Sequence, residues 1–226
     1  MTEDGVDNNG EEVSQQVIPR EIDPCDGVML ITLKEVYSAL KRLMIFPGAC
    51  VGIVGGGPVG LSMVKCCKLL GAAFVAIADH HSDRPAMAVK LGADLAVNSY
   101  EEDFETAVKK QHTKLDFVID AVGSCDVISM ALRLIRPEGV VGVYGIGMKD
   151  QIPVAWSGGP YNWKLQSVQW PVASTEAAVH DEVIRYVLSG DINLKDYVTH
   201  VLPIEQYREG FNLIKERKGL KVSLAF

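Results

Sequence analysis

No uninterrupted apolar run in this chain approaches the ~18 residues that a membrane-spanning helix needs, and no basic segment leads into an apolar one as a secretory signal would. The first sixteen residues contain no Lys or Arg, while Glu3, Asp4, Asp7, Glu11 and Glu12 supply five negative charges. The net charge of the whole chain is −7, so the body that follows carries only −2. A near-neutral body excludes a large nucleic-acid footprint, which requires clustered cations. Cysteines are few and odd in number (Cys25, Cys50, Cys66, Cys67 and Cys125), and no C-x-x-C occurs. Reduced thiols in a cytoplasmic protein are therefore expected. The hydrolase elbow G-x-S-x-G is also missing. What is present suits an ordinary globular protein: 226 residues, 48% hydrophobic and 23% charged.

Residues 1–16 combine that acidity with Gly, Asn, Ser and Gln and are expected to be a disordered tail. Residues 17–45 form a leading segment with an apolar-periodic helix over Val28–Met44, stopped before Pro47-Gly48. Cys50–Val54 is apolar without alternation, as a strand covered on both faces should be. A helix is expected over Pro58–Leu70, then strand Ala73–Ala78, a helix from Arg84 to Leu91, and strand Leu95–Val97. Helix Glu102–Lys110, strand Leu115–Ile119, helix Cys125–Ile135 and strand Val140–Tyr144 continue the series. Strands separated by helices imply βαβ units, hence an α/β fold with a doubly wound parallel sheet and helices on both faces. Gly145–Tyr161 is rich in Gly and Pro and is expected to be irregular. A strand near Leu165–Val168, helices over Thr175–Leu188 and Ile204–Glu216, and a strand over Leu220–Phe226 complete the expectation.

The chemistry concentrates at Gly55-Gly56-Gly57-Pro58-Val59-Gly60, between a strand and a helix. Gly55 permits a tight turn, Gly57 lets a pyrophosphate approach the backbone, and Gly60 lets the helix pack on the strand. Pro58 suits the first helical position, where its missing N–H costs nothing. The helix start offers N–H groups and positive dipole potential to phosphates. Asp79 follows at the next strand end, where a carboxylate would accept the ribose hydroxyls of NAD and repel the 2′-phosphate of NADP. Arg84, a few residues on, is expected against the adenine face.

These residues resemble the medium-chain dehydrogenase/reductase superfamily. The resemblance rests on Val54–Leu61, Asp79 with Arg84, Leu91-Gly92-Ala93-Asp94, Asp116–Asp120 with Gly123, Gly139–Gly145, Leu202–Gln206 and Leu220-Lys221-Val222. Within the superfamily the chain is similar to zinc-type alcohol, sorbitol and threonine dehydrogenases, from about Ile18 to Phe226. The resemblance implies a Rossmann domain over 46–190 and a segment, 191–226, that packs on a catalytic domain. It implies that Val59 meets the pyrophosphate, that Ala121-Val122-Gly123 passes the adenosine side, and that Gly145-Ile146-Gly147 passes the nicotinamide side. Lys221 matches the family's basic residue near the pyrophosphate, or is a solvated cation beside the last strand.

The departures are equally specific. The family's GroES-like catalytic domain has no counterpart in these 226 residues, no Gly-His-Glu occurs at any of the five histidines, and no four-cysteine zinc loop exists. Consecutive Cys66 and Cys67 point about 100° apart on a helix and do not readily share a metal. His80-His81 are taken as rim residues, so no metal is expected. Tyr37-x-x-x-Lys41 has the short-chain dehydrogenase spacing but precedes the glycine turn, and one helical turn explains it. The expected function is NAD(H) binding in an alcohol- or polyol-dehydrogenase-like oxidoreductase, with a small alcohol or polyol as substrate and a homo-oligomeric assembly. Two alternatives are open: a stand-alone regulatory or degenerate NAD-binding module, and a subunit completed by a separate GroES-like chain.

Overall fold

A computed structural model describes residues 16–111, 114–147, 154, 156–169 and 173–226. The expected acidic tail lies outside these residues except for Gln16, as does much of the irregular stretch after Gly147. The chain divides into two compact units, one of Ala39–Trp170 and one of 1–38 with 171–226. The sequence reading places the corresponding limits at 45/46 and 190/191. The later residues fall outside the main sheet's unit because the helix over 180–188 is tied to the N-terminal segment: the Tyr37 hydroxyl donates to Glu182 at 2.6 Å, and Lys34 meets Glu176 at 3.4 Å.

In chain order the elements are α1 (Pro24–Gly27), α2 (Met29–Arg42), β1 (Cys50–Val54), α3 (Pro58–Leu69), β2 (Phe74–Asp79), α4 (Arg84–Lys90) and β3 (Leu95–Asn98). There follow α5 (Phe104–Lys110), β4 (Leu115–Asp120), α6 (Cys125–Leu134), β5 (Ile135–Val143) and β6 (Lys164–Ser167). Last come α7 (Ala173–Ala178), α8 (His180–Leu188), β7 (Val198–Pro203), α9 (Tyr207–Lys215) and β8 (Lys221–Ala225). Six parallel strands form one sheet in the order β3-β2-β1-β4-β5-β6, and β7 pairs with β8 in a second, also parallel, sheet. The order reverses at β1/β4, the point where doubly wound sheets open a crevice at their strands' carboxyl ends. Among the described residues no helix is long and apolar enough to cross a membrane.

The apolar strands behave as their composition requires. Val51, Ile53, Val75, Ala76, Val118, Ile119 and Val141 are buried, consistent with cover on both faces of the sheet. On one side Phe104, Ala107 and Val108 from α5 and Ile128, Ala131 and Leu132 from α6 pack with Leu115, Val118 and Val141. Gly52 keeps the sheet thin there, since a Cβ would stand 2.7 Å from Leu115 Cδ1.

Four expectations need correction. β5 begins at Ile135, which pairs with Leu115 before a register shift, rather than at Val140. The helix expected over Thr175–Leu188 is two, interrupted at Val179. β7 was not expected as a strand, and α1, capped by Asp23 through its bond from Cys25 N, was not expected as a helix.

Helix α5 shows how local charge fixes an element's start. The Asp103 carboxylate accepts both Thr106 N–H and Thr106 Oγ1 at 2.8 Å. These two bonds hold its carboxyl below the usual range. A folded pKa below the unfolded value contributes stability above the ordinary Asp value of about 3.9. That contribution is lost as pH falls through the lowered folded value. Asp103→Ala is expected to cost about 1 kcal/mol at neutral pH. Urea denaturation midpoints of the two proteins should converge as pH falls below about 4; a gap that persists there would contradict the cap.

Candidate cofactor site

The candidate site grows from the junction of β1 and α3. Gly55 adopts φ +107°, in the left-handed region, and its N–H bonds to the Ala78 carbonyl at 2.8 Å. Gly56 N–H donates to Asp79 Oδ2 at 2.6 Å. Gly57 precedes α3 in an extended conformation, with no side chain to cap the helix and no heavy atom within 4 Å of where a Cβ would sit. Pro58, Val59 and Gly60 form the first turn, where N–H groups have no acceptor within the helix. The outer face of this turn is thus open backbone at a positive helix end, a natural seat for a phosphate. Gly60 faces the other way, and a Cβ there would lie 1.7 Å from the Gly55 carbonyl oxygen.

Asp79 closes β2 beside this turn. Its Oδ1 accepts His81 N–H at 2.8 Å and approaches His81 Nδ1 at 2.7 Å. Burial pushes the carboxyl up, but the hydrogen bonds from His81 and Gly56 outweigh it and hold the group below the ordinary Asp value. A carboxylate offers about four acceptor positions, and with Gly56 and His81 taking three, one remains for a ligand hydroxyl. Arg84 opens α4 and is only 7% exposed. It shares a small pocket with Gly56, Ile77, Asp79, Pro85 and Val97, its Nη1 3.4 Å from Met87 Sδ and 3.6 Å from Asp83.

Ala121–Gly123 and Gly145–Gly147 are brought together at the carboxyl ends of β4 and β5. Asp120, 1% exposed, organises both. Its Oδ1 accepts Val122 N–H at 2.8 Å and Gly123 N–H at 2.9 Å. Its carbonyl accepts Tyr144 and Gly145 N–H at 2.9 and 2.8 Å. A Cβ on Gly145 would fall 2.0 Å from Gly123 N, so the loops touch backbone to backbone. Gln169 Nε2 donates to the Gly145 carbonyl at 2.6 Å. Ala121 N–H reaches the Val54 carbonyl at 2.9 Å, which joins these loops to the glycine turn. Val122 and Ile146 leave apolar side chains exposed at this edge.

Of the expected residues, Gly55, Gly57, Pro58, Val59, Gly60, Asp79, Arg84, Ala121–Gly123 and Gly145–Gly147 all stand at the carboxyl ends of one sheet. Lys221 does not join them in this unit; it opens β8 in the other. The sequence reading missed Gly56, Asp120, His81 and Gln169 as contributors. Gly56 was readable as the middle of three glycines, since its Cβ would meet Asp79 Cβ at 2.9 Å. Gln169 carries no local signal.

Two other candidates drop out chemically. Tyr37 is buried, and burial together with its bond to Glu182 pushes its hydroxyl pKa up, the opposite of what a tyrosine base requires. Burial likewise pushes the Cys66 thiol up to about 12, and Cys67 further, so neither supplies a ready thiolate.

Residues 58–163 match the family described as zinc-binding dehydrogenase. The uncharacterized zinc-type alcohol dehydrogenase-like protein YdjL of Escherichia coli (strain K12) is 28% identical over 221 residues, covering 92% of this chain and 59% of that protein. Sorbitol dehydrogenase of Gallus gallus is 26% identical over 222 residues, covering 92% of this chain and 58% of that one. The solved alcohol dehydrogenase TADH from Thermus sp. ATN1 superposes with a TM-score of 0.81 at 27% identity, over 93% of this chain and 60% of its own. The chain thus spans about 60% of the length of these relatives. Family match, relatives and fold agree that the chain is similar to zinc-type alcohol and sorbitol dehydrogenases over about 60% of their length.

Proposed function

We propose that this chain binds NAD(H) as the cofactor domain of an alcohol- or polyol-dehydrogenase-like oxidoreductase. The observation that carries the reading is the Asp79 carboxylate, held 2.6 Å from Gly56 N–H beside an uncapped helix start. The group fits: open backbone over Gly57 suits a pyrophosphate, and a carboxylate in the charged form suits ribose hydroxyls. In this reading Val59 and Gly60 offer their N–H groups to the pyrophosphate. Asp79 takes the adenosine ribose, while Arg84 and Val122 border the adenosine side. Gly145–Gly147 guide the nicotinamide end, with Asp120 and Gln169 as positioning residues beneath. NAD, when bound, supplies the hydride acceptor for a hydroxyl-bearing carbon. The chain's own residues bind and orient; none of them is assigned a proton or a catalytic metal.

A second reading is favoured by the α9–β8 surface. Tyr207, Phe211 and Ile214 expose apolar side chains beside a groove lined by Val222 and Leu224, and Phe226 is fully exposed. Apolar surface of this kind calls for a cover. A GroES-like catalytic domain, in a longer polypeptide or as a separate chain, would supply cover, substrate pocket and zinc together. The assembly is then a cytoplasmic homo-oligomer acting on a small alcohol or polyol.

The test is fluorescence titration of the full chain with NADH and NADPH, alongside Asp79→Ala. The native chain should prefer NADH. Loss of hydrogen bonds to a charged acceptor, about 1.5–3 kcal/mol, should weaken NADH at least ~10-fold in the variant and erase the preference. Equal affinity of the native chain for both cofactors would sink the assignment of Asp79.

A further inference from the structure

His80 and His81 follow Asp79 in the turn after β2, where the backbone is neither helical nor extended and successive side chains need not diverge. Their rings lie 4.0 Å apart between centroids, tilted by 40°. His81 Nδ1 stands 2.7 Å from Asp79 Oδ1 and His80 Nδ1 stands 3.9 Å from the same oxygen. One ligating atom from each of the three residues falls within 4.8 Å of the other two. Tetrahedral zinc, with bonds of ~2.0–2.1 Å, separates its donor atoms by ~3.4 Å. The observed distances, 2.7 and 3.9 Å to Asp79 Oδ1 and none above 4.8 Å, straddle that value, so side-chain rotation closes the site without backbone rearrangement. Two imidazoles and a carboxylate are a donor set suited to zinc-class ions.

The surroundings support the same geometry. Gly56 N–H fixes the carboxylate from behind through Oδ2, leaving Oδ1 toward the histidines. The Tyr100 ring meets His80 edge-on, with centroids 5.6 Å apart. His80 is exposed, so the site can exchange an ion with solvent.

We propose that Asp79, His80 and His81 form an exchangeable site for a divalent transition metal of the zinc class, and that the metal and the adenosine ribose exclude each other at Asp79. The second half rests on the cofactor reading above; the first does not. By sequence alone the pair reads as rim residues; the three-way approach of donor atoms alters that. A metal on Oδ1 occupies the carboxylate's acceptor capacity and cancels its charge, so the ribose hydroxyls lose their partner. The site makes cofactor binding sensitive to free metal.

The experiment is calorimetric zinc titration of the EDTA-stripped full chain, native and as His80→Ala, His81→Ala and His80→Phe. The phenylalanine variant keeps a ring against Tyr100 while removing the ligand. One zinc per chain is expected, weakened at least ~10-fold in each variant. No zinc binding, or unchanged affinity in all three variants, overturns the site. NADH titrations with EDTA and with saturating zinc then address exclusion. At a zinc concentration that fills the native site but not the His80→Ala site, zinc should weaken NADH at least ~10-fold in the native chain and leave His80→Ala unaffected. Equal NADH affinity with and without zinc overturns the exclusion. Failure of NADH to bind in EDTA counts against the cofactor reading alone, because the zinc titration contains no cofactor.

Discussion

Replacing Gly60 with alanine is expected to destabilise the chain by at least ~3 kcal/mol and to abolish cofactor binding with it. The added methyl would sit 1.7 Å from the Gly55 carbonyl oxygen, less than half an ordinary contact distance, and the obstacle is backbone rather than a side chain that could rotate away. Relief requires α3 to lift from β1. That movement would strip cover from Ile53, whose side chain is the next neighbour at 3.6 Å. It would also pull the first-turn N–H groups off the line that Gly56 and Asp79 define. Against a total stability of about 5–15 kcal/mol, such a loss is a large fraction. Thermal melts of the two proteins give the answer. A melting temperature within one or two degrees of the native chain's would show that the joint is looser than its geometry states.

Asp120→Ala is expected to be nearly as costly, at about 3 kcal/mol. Its carboxylate accepts two backbone N–H bonds, from Val122 and Gly123, and hydrogen bonds to charged acceptors contribute about 1.5–3 kcal/mol each. Gly123 sits at φ +86°, and its position against Gly145 and Ile146 depends on the same anchor. Asp120→Asn keeps an acceptor oxygen of similar shape and should recover about half of the loss. Urea denaturation of both variants checks the ranking. An alanine variant as stable as the asparagine one would mean that packing, not the two N–H bonds, holds the loop.

Some of this architecture is legible in the chain because its causes are local. Cys50–Val54 is apolar throughout, three glycines follow it, and Pro58 stands where a helix tolerates proline; the turn needs no distant partner to be recognised. Asp79 is legible for the same reason, by its place at a strand end. β7 is not. Its alternation of half-covered residues resembles a loop until Val198 meets Lys221 and Leu202 meets Leu224, twenty-odd positions away. The early start of β5 is hidden similarly: Arg136-Pro137-Glu138 reads as a break, Glu138 does adopt φ +64°, and only the pairing of Ile135 with Leu115 reveals strand before it. In the site, Asp120 ends an unremarkable apolar run. Its carboxylate bonds are local, to Val122 and Gly123, but its hold on the β5 loop appears only when Tyr144 and Gly145 are laid beside it, and Gln169 acquires a role only through the Gly145 carbonyl. The metal-ligating trio shows the reverse case. Its residues are consecutive and plain to see, yet their chemistry is decided by distances that spacing does not contain.

The placement of β1 at the centre of its sheet also has a consequence for synthesis. Val51 pairs with Val75 on one side and with Phe117 on the other. A chain emerging from the ribosome can lay β1, β2 and β3 together as soon as Asn98 is free, completing the glycine turn and its carboxylate while β1 still presents a bare apolar margin. That margin stays open until β4 arrives. The glycine turn and Asp79, the adenosine side in the cofactor reading proposed above, are therefore assembled first, and nascent chains of this length are those most exposed to mispairing and to capture by chaperones.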